Sequence, residues 1–103
     1  MIEIISSEKN KEFILTIGGW DPTGEAGILR DIKTFIDLGF NALGIITAVT
    51  AQNRNTFYTY EPVSINLLNQ QLKAVFDLYN PEFIKIGMLG SKDIAVEIFE
   101  FLN

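Results

Sequence analysis

The sequence contains no cysteine and no histidine. Without cysteine there is neither a disulfide framework nor a thiolate metal site. Without histidine the commonest metal ligand and general base is missing as well. Any chemistry performed by this chain has to rest on carboxylates, hydroxyls, lysines or backbone amides. Positive charge is scarce too, with 8 Lys and Arg against 13 Asp and Glu and a formal net charge of −5. The field of such a chain repels polyanions, which argues against nucleic acid or an anionic membrane as a partner. No apolar run approaches the roughly 20 residues that span a bilayer. The opening "MIEIISSEKNKEF" lacks the basic start and long apolar stretch of a secretory signal. A soluble, cytoplasmic protein is the expectation. Repeats, low-complexity tracts and linkers are also absent, so 103 residues make one small domain or part of a larger one.

What is present is a hydrophobic core in alternating segments. Apolar residues make up 48% of the chain, eight of them Phe. "FILTIGG", residues 13–19, is a continuous apolar run rich in β-branched residues, which suits a strand buried on both faces. In "GILRDIKTFIDLG" Ile28, Leu29, Ile32, Phe35 and Ile36 recur at helical spacing, and Gly39 is placed to end the helix. "ALGIITAVTAQN", residues 42–53, reads as a second buried strand running into a polar turn. "TFYTYEPV" reads as a short edge strand or extended flap closed by Pro62. Ser64 can cap a second helix whose stripe is Ile65, Leu68, Leu72, Val75, Phe76 and Tyr79, ended by Asn80-Pro81. "FIKIGMLG", residues 83–90, is the next strand, and Ser91 caps "KDIAVEIFEFL". The order β-α-β-(β)-α-β-α predicts a parallel α/β sheet with helices on both faces and the first strand between the second and the last. Ligands bind such sheets beyond the carboxyl ends of the strands. The last strand is as apolar as a central one, and an uncovered apolar edge is one that folded proteins usually protect.

The segment "IGGWDPTGEAGILRD", residues 17–31, joins the first strand to the first helix through a glycine-rich loop that carries Asp21, Glu25 and Asp31. It is not a phosphate loop: after Gly19 and Gly24, Glu25 and Ala26 stand where G-x-x-x-x-G-K-[ST] requires a lysine and a hydroxyl. The glycines at 18, 19, 24 and 27 do not fit G-x-G-x-x-G either. Gly18 and Gly19 let the backbone approach a ligand, and Gly24 and Gly27 let the helix approach the sheet. Asp21 or Thr23 can cap the helix. Asp31 is either a helix-surface carboxylate paired with a Lys or Arg, or a group aimed above the first strand at a ligand that offers hydroxyl or amine hydrogens. By default Gln52 and Asn53 are turn residues and Met88 fills the core, while Trp20 packs in a core or walls a pocket.

Together "TIGGWDPTGEAGILRDIKTFIDLG", "GIITAVTAQN" and "KIGMLG" resemble the amino-terminal half of the hydroxymethylpyrimidine/phosphomethylpyrimidine kinases of thiamine biosynthesis, members of the ribokinase-like superfamily. The similarity runs from Phe13 onward. It implies a three-layer α/β/α fold, of which this chain holds a partial parallel sheet, and a substrate-binding role for the glycine loop. By the resemblance Gly19 meets the pyrimidine through its backbone, Asp31 hydrogen-bonds the hydroxymethyl region, Gln52 hydrogen-bonds the ring edge and Met88 packs on the ring. Glu25 stands where the family has a second consecutive glycine, Thr50 where an apolar residue is usual, and Trp20 where a small polar one is. The family's ATP site, anion hole and catalytic base lie in its carboxyl-terminal half. A truncated or split chain, 1–103, is therefore expected to hold the pyrimidine but no catalytic residue, metal, ATP or Mg²⁺ of its own. Its expected macromolecular partner is a complementing carboxyl-terminal half or a second copy of itself. A non-catalytic pyrimidine-binding module and a fragment of a pyridoxal-type kinase are the alternatives. A flavodoxin-like receiver or nucleotide domain would need a phosphate loop or acids at successive strand ends, and neither is present.

Overall fold

A computed structural model describes residues 12–103, so most of the opening stretch read for a secretory signal lies outside the described residues. Four strands and three helices follow one another among the described residues: β1 (Phe13–Trp20), α1 (Gly27–Asp37), β2 (Asn41–Gln52), β3 (Phe57–Pro62), α2 (Ile65–Phe76), β4 (Phe83–Ile86) and α3 (Lys92–Leu102). The sheet order is β3-β2-β1-β4. β1 runs parallel to both β2 and β4, so the first strand is central, as its unbroken apolar run requires. β3 pairs antiparallel with the end of β2, and all six of its residues are exposed. The "TFYTYEPV" segment is therefore an edge strand.

Successive side chains of β1 serve different helices. Leu15 and Ile17 point into a core with Ile45, Leu68, Leu72, Ile94 and Ile98, the last four supplied by α2 and α3. On the other face α1 approaches closely, and Ile28 and Ile32 lie over Gly18 and Gly44. Helices thus cover both faces, and the layers are α/β/α. Both serine caps form, with Ser64 Oγ accepting from the Leu67 amide at 3.0 Å and Ser91 Oγ from the Ile94 amide at 3.1 Å. The α1 chain leaves its helix through Gly39 at φ +95°.

Two boundaries fall short of the sequence expectation. The second helix ends at Phe76 rather than at Asn80-Pro81. Tyr79 is consequently outside the helical stripe and packs at a tilt against Phe13, with ring centroids 5.2 Å apart and planes inclined at 53°. β4 closes at Ile86 rather than continuing to Gly90. Beyond the Gly87 amide, which donates to the Ile17 carbonyl at 2.8 Å, the chain turns across the tip of the sheet, where Thr47 holds it.

Thr47 occupies a bulge. The register passes from Gly18↔Ile46 to Gly19↔Ala48, so Thr47 is the extra residue of β2. It is fully buried. Its hydroxyl donates to the Met88 carbonyl at 2.5 Å, and its own carbonyl accepts from the Val63 amide at 2.8 Å. One residue therefore ties down both the segment after β4 and the start of α2. Just before the bulge, β3 does not extend far enough to pair with Ile46, since its ladder begins at Ala48. Gln71 of α2 takes the missing strand's place: its amide accepts from the Ile46 N–H at 2.8 Å and donates to the Ile46 carbonyl at 2.9 Å.

Among the described residues no helix is long and apolar enough to cross a membrane. Replacing Gln71 by Leu leaves two backbone groups of Ile46 without partners, and stability is expected to fall by about 1–3 kcal/mol. Urea titration should show a lower midpoint with an unchanged slope.

Candidate functional site

Because β1, β2 and β4 are parallel, their carboxyl ends open on one side of the molecule, where they enclose a cleft of about 210 Å³. Gly19, Asp31, Gln52 and Met88, the four residues singled out from the sequence, all line this single cleft. They arrive from four different segments: the end of β1, the second turn of α1, the end of β2 and the chain after β4.

The floor depends on missing side chains. A Cβ on Gly27 would sit 2.3 Å from the Gly19 carbonyl oxygen, and the residue has φ +68°, so only glycine lets the start of α1 lie against the end of β1. A Cβ on Gly19 would lie 2.9 Å from the Met88 sulfur. Met88 is therefore packed over bare backbone rather than in the core, and it is 39% exposed. That corrects the default expectation that a methionine here fills the interior. The Thr47 bond to its carbonyl explains why it stays on the rim.

The three acids of the glycine loop have separate fates. Asp21 does not cap α1, and neither does Thr23: the residue before the helix is Ala26, with no side-chain cap. Instead Asp21 folds the loop on itself, its Oδ1 accepting from the Thr23 amide and the Thr23 hydroxyl, both at 2.9 Å. These contacts set its titration. The Thr23 amide lowers its pKa most, burial opposes this, and the Thr23 hydroxyl with the amides of Ala26 and Glu25 lowers it further; the net shift is downward. Glu25 turns away to an exposed ion pair with Arg54 at 3.2 Å, joining the glycine loop to the turn after β2.

Asp21 and Asp31 both line the cleft, and of the two it is Asp31 that has a cation beside it. Its Oδ2 accepts from the Thr16 hydroxyl at 2.7 Å, and Lys85 Nζ lies 2.7 Å from both carboxylate oxygens. The pairing with a lysine that the sequence allowed is formed, although Asp31 is only 17% exposed rather than on the open helix surface, and the carboxylate stands over β1. Lys85 was missed from the sequence. The available signal was a lone cation inside the apolar strand "FIKI", on the alternate that shares α1's side of the sheet. Gln52 is not a plain turn residue, since its Nε2 donates to Thr50 Oγ1 at 2.8 Å while that hydroxyl donates to the Trp20 carbonyl at 2.7 Å. The Thr50 hydroxyl is thereby committed to orienting Gln52 and closing the β1 tip. Trp20 is half-buried and walls the cleft.

The arrangement offers one carboxylate with a cation beside it, one carboxamide edge, a thioether and an indole. Such a site suits a small flat ring bearing both hydrogen-bond donors and acceptors. Among the described residues there is no group of three or more Asp and Glu that could hold a metal ion.

Two consequences are measurable. Gly27→Ala is expected to destabilise the protein by at least about 2 kcal/mol in urea unfolding, from the positive φ together with the backbone contact. For Asp21, a folded-state pKa below the ordinary value of 3.8 means that its contribution is complete above that pH and is lost as pH falls below it. Unfolding midpoints followed from pH 6 to pH 2.5 should drop less steeply for Asp21→Asn than for the wild type.

The family model for phosphomethylpyrimidine kinase matches residues 21–103. A hydroxymethylpyrimidine/phosphomethylpyrimidine kinase of Aquifex aeolicus is 39% identical over 86% of the chain and 35% of its own length. In structure, the chain is similar to a phosphomethylpyrimidine kinase from Clostridium difficile, with TM-score 0.86 and 41% identity over 89% of this chain and 40% of that one. It is also similar to the pyridoxal kinase of Staphylococcus aureus in complex with pyridoxal, with TM-score 0.76 and 30% identity over 88% of this chain and 36% of that one. The chain spans about a third of the length of the curated relatives it matches.

Proposed function

The chain belongs to the phosphomethylpyrimidine kinase family, and on that footing we propose that its cleft is the pyrimidine site of a hydroxymethylpyrimidine/phosphomethylpyrimidine kinase. The observation that carries this reading is the convergence of Gly19, Asp31, Gln52 and Met88 on one cleft at the carboxyl ends of three parallel strands. In this reading the Gly19 backbone meets the ring, and the Met88 thioether, itself lying against Gly19, packs on the ring. Gln52, oriented by Thr50, pairs with the ring's polar edge. Asp31 accepts a hydrogen bond from the hydroxymethyl group, the group to be phosphorylated. The acids of the loop are then no obstacle, because the ligand is an alcohol-bearing heterocycle rather than a phosphate.

ATP with Mg²⁺ would supply the phosphoryl group in the complete kinase. The residues described here do not fit that pair. The cation in the cleft, Lys85, is held by Asp31, and among the described residues no acidic cluster stands ready for a metal ion. Phosphoryl transfer needs charge stabilisation around the moving group, so the part assigned to residues 1–103 is binding and orientation, with the transfer machinery in a carboxyl-terminal half. The outer edge of β4, unpaired among the described residues and with Phe83 54% and Ile84 39% exposed, supports such a half, or a second copy of this chain, as the covering partner. A soluble cytoplasmic setting is part of the same reading. The likeness to a pyridoxal kinase seen with pyridoxal favours a second ring type for the cleft.

Calorimetric titration of the chain with 4-amino-5-hydroxymethyl-2-methylpyrimidine and with pyridoxal decides between the rings. Tighter binding of the pyrimidine, reduced at least about tenfold in Gln52→Ala, is the expected result. Mixing the chain with the carboxyl-terminal half of a related kinase and ATP-Mg²⁺ should yield phosphorylated pyrimidine. Binding without turnover in that mixture would leave a non-catalytic pyrimidine-binding module as the better description.

A further inference from the structure

We infer that Lys85 is a second reader of the ligand's alcohol, donating to its oxygen while Asp31 accepts its hydrogen. The inference rests on the pyrimidine reading above and adds a residue to it. It begins with a count of hydrogen-bonding capacity. An ionised carboxylate has about four acceptor positions, and an ammonium group has three N–H donors. On Asp31, Oδ2 receives both Thr16 Oγ1 and Lys85 Nζ, while Oδ1 receives Lys85 alone, every distance being 2.7 Å. Three of the four acceptor positions are filled, and the free one is on Oδ1. At most two of the three Lys85 donors serve that carboxylate, because an Nζ equidistant from both oxygens can share one N–H between them. One acceptor and at least one donor therefore remain, side by side, on the wall of the cleft that both residues line.

A hydroxyl is the small group that satisfies both at once, since it donates one hydrogen bond and accepts others. A methyl group satisfies neither, and a ring nitrogen without hydrogen can use the lysine but not the carboxylate. The exposure of the two partners points the same way: Asp31 is 17% exposed and Lys85 51% exposed, so the ammonium forms the accessible side of the pair. Its place is also held firmly. Lys85 sits in β4 opposite Thr16 in the register, and Thr16 bonds the same carboxylate, so the three polar groups are fixed by one parallel ladder. An ion pair that only neutralised Asp31 would help every ligand alike. A pair that reads the alcohol helps only ligands that carry one.

The test uses two ligands and two variants. Wild-type chain is titrated with 4-amino-5-hydroxymethyl-2-methylpyrimidine and with 4-amino-2,5-dimethylpyrimidine, which lacks the hydroxyl, and a preference for the alcohol on the order of tenfold is expected. In Lys85→Met the affinity for the dimethyl analogue should stay within about twofold of wild type while the preference for the alcohol falls to about threefold or less. Lys85→Arg keeps a cation beside Asp31 with a displaced donor, and it should retain an intermediate preference with unchanged affinity for the analogue. Equal weakening of both ligands in Lys85→Met, or a preference that survives intact in both variants, overturns the role of Lys85 while leaving the pyrimidine site standing. Wild-type protein that binds neither pyrimidine overturns the site reading itself, and the role of Lys85 falls with it. Circular dichroism of each variant excludes unfolding as the cause; should Lys85→Met unfold, the Lys85→Arg comparison alone carries the decision.

Discussion

Backbone meets backbone where α1 begins and β1 ends. The contact of Gly27 with the Gly19 carbonyl leaves no room for a β-carbon, and the position of α1 over the sheet follows from it. With the helix start pressed against the strand tip, Ile28 and Ile32 reach the spaces above Gly18 and Gly44, and Asp31, one turn further, comes within 2.7 Å of Thr16 and Lys85. Met88 can settle over Gly19 for the same reason, because the strand end is bare there. A helix held a few ångströms higher would lose the carboxylate from the cleft and leave Lys85 without its partner.

The second constraint is electrostatic. A chain with net charge −5 builds its cleft beside three acids, and each acid has a local answer. Asp21 is absorbed by loop amides and a hydroxyl, Glu25 by an exposed arginine, and Asp31 by a lysine and a threonine. The exposed pair is worth little on its own. The Asp31 pair is different in kind because it stands on the cleft wall and retains hydrogen-bonding capacity on both members. The consequence is a site that presents polarity without a strong net field, which favours a neutral donor-acceptor ring over a polyanion.

The sheet itself is unequal at its two edges. β3 is short, antiparallel and exposed along its whole length, and Gln71 rather than a strand completes the pairing of β2 behind it. β4 is only four residues long, yet it carries the lysine of the cleft on one side and contributes Ile86 to the main core's margin on the other. Among the described residues its outer edge has no strand neighbour. Function and the need for cover thus fall on the same short strand, which is why the proposed site and the proposed partner surface adjoin.

The winding of a parallel sheet put β1 at the centre, and from local pattern the sequence by itself determined the element order, the two serine caps and the edge character of "TFYTYEPV". Those local features depend on periodicity, β-branching and capping, which act over a few residues. The resemblance in three motifs brought Gly19, Asp31, Gln52 and Met88 forward, and the parallel topology puts the strand-end residues Gly19 and Gln52 on one face. Tertiary structure alone decided what each polar group does. Whether Asp21 caps the helix or its own loop depends on where α1 can start, and that is set by a contact across 8 residues with Gly19. The partnership of Asp31 with Lys85 spans 54 residues, and the bond from Thr47 that keeps Met88 on the rim spans 41. No local rule reaches so far: these pairings exist because parallel strands distant in sequence end side by side, and only the folded register says which side chains then share a wall.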